Sequence, residues 1–141
     1  MDLGQLAELS EGMNLPECNK IVTQGNINLY AEASRDFNPI HIDEVFAKGT
    51  PLGGTIAHGM LILAYVSEMM SAAFGQDWLG GGKLSVRFKT PARSGDTLTV
   101  SGKISRVERN GGQTLIHCDV LCQNQNGDSI ITGETSVRVE K

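Results

Sequence analysis

The chain has 141 residues, the usual size of one domain and long enough to bury a core. Hydrophobic residues make up 40% and charged residues 20%, a globular rather than a disordered composition. The net charge of -4 leaves no broad basic face, which argues against a nucleic-acid partner. A local basic patch for a small anionic ligand is compatible with that balance.

Three cysteines, Cys18, Cys118 and Cys122, are too few and odd in number for a disulfide framework, and they fit a reducing cytoplasm. The first residues, "MDLGQLAELSEGM", carry neither a basic leader region nor a long apolar stretch. No apolar run approaches the ~20 residues of a membrane span. The expectation is one domain over residues 1–141, without internal repeats, in the cytoplasm and off the membrane.

In chain order, "CNKIVT" reads as an early edge strand. "TQGNINLYAEAS" reads as a short helix, with Thr23 as N-cap and Ile27, Ala31 and Ser34 at helical spacing. A polar stretch, "SRDFNPIH", follows and is expected to form a loop, since Asn38 is driven toward extended geometry by Pro39. "IDEVFA" is one or two helical turns, and "PLGGT" a glycine-rich turn. The strongest helix signal runs from Gly59 to Phe74, where twelve of sixteen residues are apolar and Gly75 is a natural stop. Met60, Leu61, Ile62 and Leu63 point in every direction around the axis, so this helix is expected to be buried all round.

The second half alternates as strands do. Leu84, Val86 and Phe88 share one face of "KLSVRFK"; Leu98, Val100, Gly102 and Ile104 share one face of "TLTVSGKISRVE". "RNGGQ" and "NQNGD" carry hairpin turns into "TLIHCDVLCQ" and "SIITGETSVRVE". On the first of these, Cys118 and Cys122 share a face and His117 takes the other, which favours packing over a metal site. A curved antiparallel sheet wrapped around one apolar helix satisfies both halves. This is the hot-dog arrangement, an α+β fold. One sheet leaves part of such a helix bare, so a second copy is expected, as a homodimer or higher homo-oligomer.

Two stretches carry chemistry. In "SRDFNPIH", Asp36 and His41 can hold one water between them, with Pro39 stiffening the link and Asn38 free to bond the loop or a carbonyl. In "GGTIAHGMLI", Gly59 opens the buried helix with a bare backbone N–H at its positive end, suited to an oxygen that gains charge. His58, beside that N–H, is expected to cap or orient the loop. The helix residues after Gly59, Met60 and Leu63 among them, are expected to line a pocket for an aliphatic tail. Lys83, Arg87, Lys89 and Arg93 read as solvated strand charges. An α,β-unsaturated acyl thioester fits these requirements.

"YAEASRDFNPIHIDEVFA" resembles the signature of the MaoC-like, (R)-specific enoyl-CoA hydratases through Tyr30, Ser34, Asp36, Asn38, Pro39, Ile40, His41 and Ala47. "AHGMLILA" and "VRFKTPARSGDTLTVSGKI" resemble the helix start and the following strands of that family. The resemblance implies reversible syn hydration of a trans-2-enoyl-CoA to the (R)-3-hydroxyacyl-CoA. It implies that Asp36 and His41 activate the water, that Asn38 holds substrate and loop, and that the Gly59 amide stabilises the thioester oxygen. Neither metal nor redox cofactor is implied; coenzyme A is part of the substrate, and its phosphates would want cations from among Lys83, Arg87, Lys89 and Arg93, with Arg87 the candidate contact. Arg35 stands where the family often has Gly, and it narrows the pocket, meets an anionic group or points to solvent. Rival readings are a (3R)-hydroxyacyl-ACP dehydratase acting on acyl carrier protein, a hot-dog acyl-CoA thioesterase, and a non-catalytic acyl-binding subunit.

Overall fold

In the computed structural model, which describes residues 9–140, the apolar run at the centre of the chain forms helix α4 (Gly59–Phe74). Gly75 ends it with a φ of 57°, a conformation that glycine adopts without steric cost. Ile62, Val66, Met69, Met70, Ala73 and Phe74 are buried, a stripe at helical spacing. The all-round burial expected of this helix does not occur within one chain. Met60 is 59% exposed, and Leu61, Leu63 and Tyr65 are only half-buried. A single curved sheet reaches one side of a helical cylinder and leaves the other open.

That sheet has five strands in the order β1-β3-β4-β5-β2, every neighbouring pair antiparallel. They are β1 (Cys18–Ile21), β2 (Lys83–Phe88), β3 (Thr97–Asn110), β4 (Gln113–Gln123) and β5 (Ser129–Glu140). Alternation sorts the faces. Leu98, Val100, Gly102 and Ile104 on β3 are buried, as are Ile116, Cys118, Val120 and Cys122 on β4. With α4 these residues form one core cluster. Gly102 belongs to this series because a Cβ there would come within 2.9 Å of Leu15 Cδ1 and 3.0 Å of Met69 Cε. The β3–β4 hairpin turns on Gly111 and Gly112, both at positive φ, as a tight two-residue turn requires.

Among the described residues there are four shorter helices: α1 (Gln24–Ser34), α2 (Pro39–Ile42), α3 (Glu44–Lys48) and α5 (Gln76–Gly81). Thr23 caps α1 by accepting from Asn26 N–H at 3.1 Å, and Ile27 and Ala31 are its buried residues, as their spacing predicts. One expectation about these segments is corrected. The Asn-Pro stretch is not all loop, because Pro39 starts α2 and His41 lies within it. Helix α5 was not read from the sequence. It forms because Trp78 is buried and its Nε1–H donates to Ser67 Oγ at 2.9 Å.

The strand order has a consequence for the site. Strand β2 pairs with β5, yet the next strand in sequence, β3, lies three positions across the sheet. The connecting segment, residues 89–96, must therefore cross about 15 Å of sheet. It is fastened along the way: Lys89 N–H donates to Ile130 O, Ala57 N–H to Ala92 O and Gly95 N–H to Val22 O, at 2.8, 2.8 and 2.7 Å. This strap passes the N-terminal end of α4.

Close approach also fixes Gly133 on β5, opposite Val86 on β2. A Cβ there would fall 2.4 Å from the Ser85 carbonyl oxygen, a backbone atom that cannot swing away. Gly133→Ala is expected to lower the unfolding free energy by about 1–3 kcal/mol, the usual range for overpacking, as read by urea denaturation.

Candidate active site

Helix α1 ends at Ser34, whose hydroxyl donates to Tyr30 O at 2.8 Å and accepts from Asp36 N–H at 3.3 Å. Between them Arg35 turns the chain in the left-handed region, with φ 63°. It is exposed, which fits the solvent-facing alternative among those open for it. Asp36 then accepts from Asn38 N–H through Oδ1 at 3.2 Å, and Asn38 accepts from Ile40 N–H at 3.2 Å, capping α2. Asn38 thus holds the loop through its side chain, and α2 delivers His41.

His41 is buried, and its Nδ1 lies 2.7 Å from Ile56 O. A carbonyl only accepts, so Nδ1 carries the proton and donates it. In the neutral ring Nε2 is then a bare acceptor. It faces Asp36 Oδ2 at 3.9 Å. That gap is too wide for a direct hydrogen bond, and a water about 2.8 Å from both atoms fits it. The Asp36 side chain is 54% exposed, so this water position is open on one side.

His58 lies beneath the pair. Its ring stacks on that of His41, with centroids 3.9 Å apart and planes 25° apart. The Tyr30 ring also lies against it, with centroids 4.8 Å apart and planes tilted by 58°. Asp36, His41 and His58 offer ligand atoms within 4.8 Å of one another. The stack sets the two imidazoles in nearly parallel planes, so their in-plane lone pairs do not converge on one ion. Cys118, Cys122 and His117 do not converge either. Both thiols are buried on the helix-facing side of β4, where desolvation pushes each up to about 11, while His117 sits on the other face beside Arg106 and Glu108.

A mostly apolar cavity of about 290 Å³ opens beside His41. Its walls include Gly59 and Ile62 of α4, Ile56, Phe88, Ile130, and Thr90, Pro91 and Ala92 of the strap. His41 and the start of α4 therefore meet in one cavity. No side chain caps the N-terminus of α4. A Cβ on Gly59 would come within 3.1 Å of the Phe88 ring, so the missing side chain makes room for that ring at the cavity edge. Met60 and Leu63 are not among the walls: Met60 is largely exposed and Leu63 packs against the core. Arg87 is exposed on β2 and does not line the cavity, whereas Lys89 does.

Sequence reasoning missed a second tier of polar contacts. Gln24 Nε2–H donates to His41 O at 2.7 Å. The Thr55 hydroxyl lies 2.8 Å from both Gln24 Oε1 and Glu44 Oε2, and Thr55 N–H reaches the same carboxylate at 3.3 Å. These contacts tie α1, α3 and the glycine-rich turn around α2. Nothing in their spacing marks them. Phe88 and the strap were also missed, though a strand running into Thr-Pro hinted at a sharp change of direction.

With this geometry in view, comparison with known proteins is direct. Residues 11–136 match the model of the MaoC like domain. The chain belongs to the MaoC-like dehydratase family. A 3-hydroxybutyryl-CoA dehydratase of Methylorubrum extorquens is 32% identical over 129 residues, covering 86% of this chain and 76% of that protein. An (R)-specific enoyl-CoA hydratase of Aeromonas caviae is 28% identical, covering 99% and 96%. Among solved structures, the (R)-hydratase of A. caviae involved in PHA biosynthesis superposes with a TM-score of 0.78 at 26% identity, covering 92% of this chain and 96% of that one. An unliganded (R)-hydratase of Pseudomonas aeruginosa gives 0.79 at 26% identity, covering 96% and 89%. The fold is the hot-dog fold, as the sequence pattern implied.

Two measurements test the local framework. Arg35→Gly is expected to raise the unfolding free energy by about 1 kcal/mol, because only glycine takes the left-handed turn freely. Hydrogen bonds from the Thr55 hydroxyl and then its backbone N–H hold the Glu44 carboxyl below its ordinary value of 4.5. A lowered folded value contributes stability above the unfolded one that is lost as pH falls through the folded value. The difference in melting temperature between the protein and Glu44→Gln should therefore be largest above pH 4.5 and shrink on acidification.

Proposed function

We propose that this protein hydrates trans-2-enoyl-CoA to (R)-3-hydroxyacyl-CoA, reversibly, with Asp36 and His41 activating the water. The family to which the chain belongs is one of hydratases and dehydratases, that is, of hydro-lyases. The observation that supports the finer reading is the 3.9 Å gap between His41 Nε2 and Asp36 Oδ2, with His41 lining the same cavity as the first residue of α4.

The water sits between a bare imidazole nitrogen and a carboxylate oxygen. Its oxygen bonds to C3 of the enoyl group while one of its protons passes to the pair. The pair returns a proton to C2, so its protonation state is restored and only water has been consumed. Both new bonds form on the face that looks toward the dyad, which is syn addition. Meanwhile the thioester oxygen gains charge, and the Gly59 N–H at the positive end of α4 is the donor suited to it. Ile62, Phe88, Ile130 and the strap offer the acyl chain an apolar wall. Coenzyme A enters as the substrate's handle, with Lys89 at the cavity as the cation nearest to hand.

A second copy of the chain belongs to the same proposal. Phe37, Ile42 and Met60 are exposed, and each is the direct sequence neighbour of a site residue, Asp36, His41 and Gly59 respectively. Exposed apolar side chains of this kind are suited to burial against a partner. A cytoplasmic setting completes the reading. Among the described residues no helix is long and apolar enough to cross a membrane.

Loss of enone absorbance with crotonyl-CoA, and separation of the product on a chiral column, test the reaction. The (R) product is expected, with Asp36→Asn and His41→Gln each lowering kcat by about 10²–10⁴-fold, the range of general acid–base catalysis. Release of free CoA, or formation of the (S) product, would overturn it. Light scattering should give twice the 15.1 kDa chain mass.

A further inference from the structure

We propose that His58 is a positioning residue for the dyad, acting through the hydrogen bond from its Nε2–H to the backbone carbonyl of Asp36. This rests on the reading of Asp36 and His41 as the water-activating pair.

The two members of the pair are held by different means. His41 is fixed twice: its ring by Ile56 O, and its own carbonyl by Gln24. Asp36 is held differently. Its N–H bonds to Ser34 Oγ and its Oδ1 to Asn38 N–H, both within the same short segment. Those contacts shape the segment but do not place it against the rest of the protein. The bond from a residue 22 positions away does: His58 Nε2 lies 2.9 Å from Asp36 O. Since a carbonyl can only accept, the proton is on Nε2. Nδ1 is the bare nitrogen, and it is buried without a hydrogen-bond partner among the described residues. A buried imidazole nitrogen left unsatisfied costs stability. A ring retained at that cost is set by what its other nitrogen and its faces do.

Both lead to the dyad. The Nε2–H fixes where Asp36 leaves the chain, and one ring face lies on His41. His58 is also the N-cap residue of α4, directly before Gly59. One side chain therefore refers the carboxylate, the imidazole and the helix amide to a single rigid point. Displacement of Asp36 by even an ångström would shift a water held across the 3.9 Å gap away from its place against the substrate, and misplacement on that scale costs rate. The strained turn at Arg35 and the exposure of Asp36 leave that segment little else to hold it.

The contact and its consequence are tested separately. In the folded protein, a long-range proton–nitrogen NMR spectrum should show His58 protonated on Nε2 and bare on Nδ1. A proton on Nδ1 instead would overturn the proposal whether or not any substrate is turned over. For activity, three variants divide the ring's contributions. His58→Phe keeps an aromatic face and loses the donor. His58→Gln loses the face and keeps an N–H at the position of Nε2. His58→Ala loses both. With the enoyl-CoA that the protein hydrates, Ala and Phe are expected to lower kcat at least about 30-fold with KM changed less than about threefold, and Gln to recover about tenfold over Ala. Retention of kcat in the Phe variant, failure of Gln to exceed Ala, or a loss confined to KM would each overturn it. Assays run well below each variant's melting temperature keep the comparison to folded protein.

Discussion

The hydrogen bond from His41 Nδ1 to the Ile56 carbonyl is the contact on which the site depends. It settles the tautomer, and with it which nitrogen faces Asp36. It also fastens α2 to residues 55–59, the stretch that runs into α4. Ile56 reciprocates through its own N–H, which donates to Ile40 O at 3.0 Å. On its other side the stretch is joined to the strap, through Ala57 N–H and Ala92 O and through the bridge between Ile56 and Arg93. Five residues thus connect the polar motif, the start of the central helix and the cavity wall. A constellation of side chains held by backbone groups of this kind is rigid for a physical reason: backbone carbonyls have no rotamers to sample.

The strand order makes that arrangement possible. Were β2 and β3 a simple hairpin, their connection would turn at the sheet edge and leave the end of α4 uncovered. Because β2 joins β5 instead, the connection is forced across the sheet, and the chain's path itself supplies an apolar wall where the helix begins. The alternation that buries Leu98, Val100 and Ile104 against α4 holds the sheet curved around the helix, so the core that stabilises the domain also fixes the shape of the cavity.

Elements with a strong local signal were legible in the sequence. The apolar run at 59–74, the Thr23 cap, the glycine hairpins and the period-2 strands all carry their structure in nearby residues. The nearness of Asp36 and His41 was legible only in part: Pro39 and Asn38 shape the segment within a few positions, but more distant groups, Ile56 and His58, place it. What was not legible depends on contacts between distant residues. Met60 and Leu63 were assigned to a pocket from their place on the helix alone, yet the wall is built by β2, the strap and Ile130, whose arrival is decided by strand order. Gln24, Glu44 and Thr55 are ordinary polar residues until folding brings them together. Helix α5 was hidden because Gly80 and Gly81 lower its propensity, and the burial of Trp78 overrides them.

The two cysteines of β4 have a use that owes nothing to the site. Both thiols lie on the covered face of the sheet and are pushed up to about 11, so the reactive thiolate is scarce at neutral pH. Alkylating reagents and oxidants can reach them only when α4 lifts from the sheet. The domain therefore carries its own clock for opening: the rate at which Cys118 and Cys122 become modified reports how often the helix and sheet part company, residue by residue in the middle of the core, with no probe added.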